Sequence, residues 1–236
     1  MATYLENTSI DVERQYVLFK NVFLEHYNSQ RAKKEKAYLK SPFEFYGVSV
    51  PFTTKMASTF RRANKSIEKV ALMALIEKLW NSTNHNEKTL AVKLLMQYPS
   101  SLDDSTLSVL EKMLNESTGW DHVDEIAIHI VGAILEKGDA GYEYLERWSV
   151  CENFWLRRAS LISQILLFRR GKGKPQLFFQ FARKMLKEKE FFIKKAIGWT
   201  IREIAKGNRE LALDFVESIK GEASKLTIRE ALKGCK

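Results

Sequence analysis

The chain has few residues of the types that mark several common architectures. Two cysteines in 236 residues, Cys151 and Cys235, exclude a disulfide scaffold and a multi-cysteine zinc site. They point to a reduced, cytosolic setting. Four prolines and 11 glycines exclude a collagen-like or proline-rich chain, and are few for an all-β protein with a turn every few residues. Long apolar runs are missing too. Val70 to Ile76 is among the longest, far short of the roughly 18–20 residues a membrane-spanning helix needs. The start MATYLENTSID has neither a basic opening nor an apolar core, so it does not read as a secretory signal. A soluble cytoplasmic protein with no membrane partner is expected. What remains is 45% hydrophobic and 28% charged, which excludes a wholly disordered chain.

Charge is unevenly placed. Residues 1–60 carry 8 basic and 6 acidic residues, residues 61–150 carry 10 and 14, and residues 151–236 carry 20 and 9. The whole-chain net of +9 therefore arises in the C-terminal third, at +11, against −4 in the middle. Clusters include Arg157-Arg158, Arg169-Arg170 with Lys172 and Lys174, Arg183-Lys184 and Lys194-Lys195. Concentrated positive charge attracts polyanions. A solvated helical face reads the same way in sequence.

Apolar residues recur at three- and four-residue spacing in SIEKVALMALIEKLW, EKTLAVKLLMQY and LALDFVESIK, so the chain reads as all-α. A second period overlies the first. Ala91, Ala127, Ala159, Ala196 and Ala231 each sit in an apolar frame, spaced 36, 32, 37 and 35 residues apart. That is close to the period of helical-hairpin repeats. A small residue at a fixed place lets stacked helices approach closely. The expectation is a superhelical solenoid of HEAT-like hairpins. It forms one domain over 1–236, with N-terminal helices in 1–60 and stacked repeats in 61–236. Basic residues just before three of the alanines (Arg157 and Arg158, Lys194 and Lys195, Arg229) would then form a row along one surface. Gly138 to Ala140 and Gly171 to Pro175 read as loops between repeats, and Pro99 and Pro175 as parts of connections. Gly198, inside a helical segment, costs about 1 kcal/mol relative to alanine and asks for a close backbone approach.

Common chemical motifs are missing as well. There is no phosphate-binding glycine loop. His26, His85, His122 and His129 show no metal-ligand spacing, and no serine or cysteine is marked as a nucleophile. Neither metal nor cofactor is expected. Trp120 and Asp124 lie four apart in GWDHVDE, hence on one helix face. An indole beside a carboxylate could steady a cation or orient a water. Alternatively, Asp121 caps the helix and Asp124 faces solvent. In NFWLRRA, Trp155 is expected to pack between repeats, with Arg157 or Arg158 turned with it toward the concave surface. In FFIKKAIGWTIRE, Trp199 and Arg202 share a face with lysines nearby, a pattern used for stacking on bases and contacting phosphate.

Four segments, YLKSPFEFYGVSVP (Tyr38–Pro51), GWDHVDEIA (Gly119–Ala127), FWLRRAS (Phe154–Ser160) and FFIKKAIGWTIREIAK (Phe191–Lys206), resemble in order the AlkD family of DNA glycosylases. The resemblance implies HEAT-like repeats that grip duplex DNA in a concave basic groove; a solenoid that grips DNA can work alone, so a monomer is expected. Such an enzyme removes cationic N3- or N7-alkylated purines in base excision repair without flipping the base into a pocket. By the same resemblance Trp120 and Trp199 line the lesion site, Asp124 assists hydrolysis, Arg158 is the active-site arginine and Arg202 faces DNA. Arg157, Lys194 and Lys195 would add DNA contacts. One position departs: Ser49 stands where the family often has glutamine, on a side chain that faces DNA. Two other readings compete. One is a non-catalytic relative that binds unusual DNA structures. The other is a helical-repeat scaffold for an acidic protein, which would leave the Trp–Asp pair without a task.

Overall fold

The computed structural model describes residues 10–233. The first nine residues of the MATYLENTSID start and Cys235 lie outside the described residues. The chain divides into two compact units, Met1–Ser101 and Leu102–Lys236. Among the described residues every regular element is helical, apart from one isolated parallel bridge between Glu44 and Asn84. No helix among them is long and apolar enough to cross a membrane.

The first unit contains α1 (Val12–Glu25), α2 (Ser29–Leu39), α3 (Val50–Ala63), α4 (Lys69–Trp80) and α5 (His85–Gln97). Asp11 and Asn28 start α1 and α2 by accepting hydrogen bonds from Arg14 N and Arg31 N at 3.0 and 2.9 Å. Each satisfies one of the backbone donors that a helix start leaves open. The buried strand-like stretch before α3 has no sheet to join, and Asn86 supplies its partners instead. Its Oδ1 accepts from Tyr46 N (2.8 Å) and Gly47 N (3.1 Å), and its Nδ2 donates to the Val48 carbonyl (3.1 Å). Gly47 has φ +71°, and a Cβ there would lie 2.2 Å from the Asn28 carbonyl oxygen. Only glycine fits both constraints. Buried Glu87 accepts from the phenols of Tyr16 and Tyr46 at 2.8 and 2.7 Å. Burial, with this carboxylate partner, pushes the Tyr16 hydroxyl up to about 12.

The second unit runs α6 (Leu107–Glu116), α7 (Trp120–Glu125), a π-helical segment (Ile126–Val131), α8 (Gly132–Leu135), α9 (Ala140–Trp148), α10 (Phe154–Ile162), α11 (Ile165–Arg169), α12 (Pro175–Met185), α13 (Phe191–Ala205), α14 (Arg209–Ile219) and α15 (Lys225–Leu232). Pro175 is the first residue of α12, where its missing N–H costs nothing. It therefore begins a helix and does not lie in the connection, as the sequence suggested. α14 shows how the apolar spacing works. Ala212, Phe215, Val216 and Ile219 fall at three- and four-residue intervals and are all buried. Each large side chain so buried contributes about 1.5–3 kcal/mol.

The period of the alanines is visible in the bonding. Hydrogen bonds within the second unit join residues about one repeat apart. Examples are Arg147 to Glu111 (36 residues), Arg158 to Asp124 (34), Arg169 to Glu203 (34), Arg183 to Ser218 (35) and Thr227 to Lys194 (33). All five repeat alanines are fully buried, Ala91 in the first unit and the other four in the second. α10 packs on both α7 and α13, and α13 packs on α15. Ala127, Ala159, Ala196 and Ala231 thus line one row of stacked helices.

The close approach asked for by Gly198 is present. A Cβ there would lie 2.5 Å from the Thr227 carbonyl oxygen and 2.6 Å from Glu230 Cβ, so α13 and α15 touch backbone to backbone. Gly198→Ala should therefore destabilise by about 1–3 kcal/mol although alanine is the better helix former. Thermal melting checks this, at about 2–4 °C per kcal/mol for a chain this long. A raised melting temperature would show that α15 yields to the methyl group.

Candidate active site

α7 opens at Gly119, an N-cap residue with no side chain to cap the helix. Asp121 is therefore not the N-cap. Trp120, the first helical residue, keeps 38% of its surface exposed, high for an indole. Asp124 sits one turn later, on the same face. Its side chain is only 15% exposed, so it does not simply face solvent.

What Asp124 faces is Arg158. The guanidinium donates from Nε to Asp124 Oδ1 and from Nη2 to Oδ2, both at 2.7 Å. Its Nη1 donates to the Phe192 carbonyl at 2.6 Å, and the cation lies 5.8 Å from the centre of the Phe192 ring. Arg158 is 3% exposed and sits in α10, which packs on both α7 and α13. One guanidinium thus holds groups from both neighbouring helices. The fork geometry fixes the plane of the carboxylate while using one lone-pair direction on each oxygen.

Adjacent helix residues point about 100° apart, and Arg157 goes elsewhere. It pairs with Glu188 (Nε to Oε1 2.6 Å, Nη2 to Oε2 2.9 Å) and donates to the carbonyls of Cys151 (2.5 Å) and Glu152 (2.6 Å). It pins the approach to α10 rather than standing free toward a ligand. Trp155 packs between repeats as expected, 4.2 Å from Phe154 and 5.1 Å from Phe192 between ring centres.

On α13, Trp199 is partly exposed, and its indole Nε1 donates to Glu203 Oε1 at 3.2 Å. Glu203 is 2% exposed. Its Oε2 accepts from Arg169 Nε and from Lys206 Nζ, both at 2.7 Å. Burial alone would raise this carboxyl, but the bonds from Arg169 and Lys206 outweigh it and hold the group at about 2. Arg202 is half-buried and reaches Glu230 on α15 at 3.4 Å.

The anticipated row of cations is interrupted. Lys195 and Arg229 are exposed and Lys194 is partly exposed, but Arg157 and Arg158 are drawn into ion pairs. The cations of the Gly171 turn are engaged too. Arg170 and Lys172 meet Glu136, and Lys174 meets Asp139. In the first unit, Ser49 is the N-cap of α3, where its hydroxyl accepts from Phe52 N at 3.3 Å.

A family model described as DNA alkylation repair enzyme matches residues 19–234. The chain belongs to that family. Three solved structures share the fold of this DNA alkylation repair family member. A protein described as a predicted DNA alkylation repair enzyme from Enterococcus faecalis is 24% identical, with a TM-score of 0.80 over 88% of this chain and 96% of that one. The protein smu.31 from Streptococcus mutans UA159 is 16% identical, with a TM-score of 0.61 over 88% of this chain and 98% of that one. AlkD2 from Streptococcus mutans is 17% identical, with a TM-score of 0.60 over 79% of this chain and 90% of that one. No curated protein sequence matches the chain.

Two groups of this DNA alkylation repair family member escaped the sequence reading. Phe192 supplies a backbone carbonyl, which no side-chain pattern can mark. Glu203 had a signal, because Trp199 and Glu203 lie four apart on one helix face, as Trp120 and Asp124 do. A glutamate in a charge-rich helix reads as a solvated residue until its burial is known.

Proposed function

We propose that this chain is a monofunctional DNA glycosylase. It would hydrolyse the N-glycosidic bond of cationic alkylated purines, 3-methyladenine and 7-methylguanine, in duplex DNA. The observation that carries this reading is the forked Asp124–Arg158 pair, largely buried beside an exposed Trp120 on the same helix face. Membership in the DNA alkylation repair family and the four resembling segments support it.

The chemistry fits such a set. A cationic purine is already a good leaving group, so no strong general acid is required. As the glycosidic bond breaks, the bonding pair passes to the purine, which leaves neutral, and positive charge develops on the sugar. Asp124 stabilises that charge and orients the water that adds to C1′ and releases one proton to bulk water. Trp120 and Trp199 present π faces to the cation. Arg158 holds the carboxylate plane in place.

The test is release of free base from duplexes carrying 7-methylguanine, 3-methyladenine or neutral uracil. Release from the two methylated duplexes alone is expected. Equal release of uracil, or tight binding of all three without release, would overturn the reading. The second outcome would point to a non-catalytic DNA binder, the reading that Ser49 favours.

Lys194 and Lys195 are proposed to contact phosphates. Replacing both by alanine should weaken binding to every duplex sequence. It should also lower the slope of log affinity against log salt by about 2, roughly one unit per lost phosphate contact. An unchanged slope would make them merely solvated residues.

A further inference from the structure

Glu203 is an unusual tenant of a stacked helix. It is a carboxylate at 2% exposure on the face that α13 turns toward its neighbours. A buried charge persists only with partners, and here three converge on it. Arg169 comes from the preceding repeat, Lys206 from the next turn, and the Trp199 indole from the previous turn. The cations occupy Oε2, and Oε1 takes the indole N–H. Arg169 and Lys206 are 43% and 52% exposed, so water could satisfy them without Glu203. The Trp199 N–H points to Oε1, the oxygen that neither cation occupies.

This arrangement does two things to the indole. A hydrogen bond at Nε1 restrains rotation about the Cα–Cβ and Cβ–Cγ bonds, and so sets which face of the ring is presented. A carboxylate acceptor also pushes electron density into the ring system, which strengthens attraction of a cation to its face.

We infer that Glu203 is a positioning residue that aims Trp199 and keeps its face electron-rich for a positively charged base. This rests on the reading that Trp199 lines the lesion site. The bonds from Arg169 and Lys206 that hold this carboxyl at about 2 keep it ionised across the working pH range. Glu203 itself touches neither substrate nor the reacting atoms.

The test uses the full chain with Trp199→Ala, Trp199→Phe, Glu203→Gln, the Trp199→Phe/Glu203→Gln double variant and Arg169→Gln. Single-turnover release of 7-methylguanine is measured beside duplex affinity and thermal melting. Glu203→Gln should slow release by about 10-fold with affinity within about twofold. The indole N–H resonance, assigned by its loss in Trp199→Phe, should move upfield in Glu203→Gln. The double variant should be no slower than Trp199→Phe, because the bond is already gone. Arg169→Gln lowers stability while leaving the indole bond, and should lose less than about threefold in rate.

A wild-type rate in Glu203→Gln, an unmoved resonance, or losses that multiply in the double variant would overturn the inference. So would rate losses that track melting temperature across Glu203→Gln and Arg169→Gln, since that is what a purely structural role predicts. A wild-type rate in Trp199→Ala would instead remove Trp199 from the site, which is a separate failure.

Discussion

Asp124→Asn should lower single-turnover release of 7-methylguanine by about 100- to 1,000-fold, the range for removing one preorganised electrostatic partner of a transition state. Duplex affinity should stay within about twofold. The substitution is nearly isosteric. The amide keeps one oxygen for Arg158 but turns an NH2 group toward the other guanidinium nitrogen and leaves that cation without its counter-charge, so the variant loses stability and its rate is compared well below its melting temperature. What disappears is the negative charge, at the moment when charge develops on the sugar. Asp124 is 15% exposed, so its field is less screened than that of a surface carboxylate. In the proposed complex Trp120 and Trp199 would also attract the cation, and phosphate contacts would dominate binding. The loss should therefore fall on the rate and not on affinity. A wild-type rate would take the carboxylate out of the chemistry. A parallel loss of affinity would make it a DNA-binding group.

The repeat was legible because its cause is steric and strictly local. Ala127, Ala159, Ala196 and Ala231 occupy the contact row of successive helices, and all four are fully buried. Trp120 and Asp124 were legible as a pair because helical spacing alone puts them on one face. The fate of the positive charge was not. The basic excess of the C-terminal third suggested an open cationic wall. Part of it is matched one repeat back by the acidic middle third, through Arg158 to Asp124, Arg170 and Lys172 to Glu136, and Lys174 to Asp139. Composition counts both members of such a pair and says nothing of their contact. The division of labour between Arg157 and Arg158 was hidden for a similar reason. Sequence shows two equal cations, and only the neighbours on either side of α10 distinguish them. The π-helical segment Ile126–Val131 was also silent. Ile126, Ala127, Ile128, Ile130 and Val131 are buried nearly all round, so no amphipathic period was there to shift. Its position, directly after Asp124 and Glu125, is where such distortions often accompany functional groups.

Arg158→Ala should be the most destabilising substitution at the site, by about 3–5 kcal/mol, because breaking a buried pair leaves one charge without its partner. Three hydrogen bonds go with the guanidinium. Both Asp124 oxygens lose their donors, and so does the Phe192 carbonyl. At about 2–4 °C per kcal/mol, the melting temperature should fall by roughly 10 °C. Arg158→Lys should recover only part of this, since an ammonium cannot form the fork or reach three acceptors in one plane. The double variant Arg158→Ala/Asp124→Ala decides between two accounts of the loss. If the cost is mainly the stranded carboxylate, removing Asp124 as well should restore stability, and the double variant should melt above Arg158→Ala. If the cost is mainly packing between α7, α10 and α13, the second truncation should lower the melting temperature further. The first result is expected. It would mean that the pair adds little net stability. Its place in the stack would then be explained by the fixed orientation it gives a carboxylate that the proposed chemistry requires.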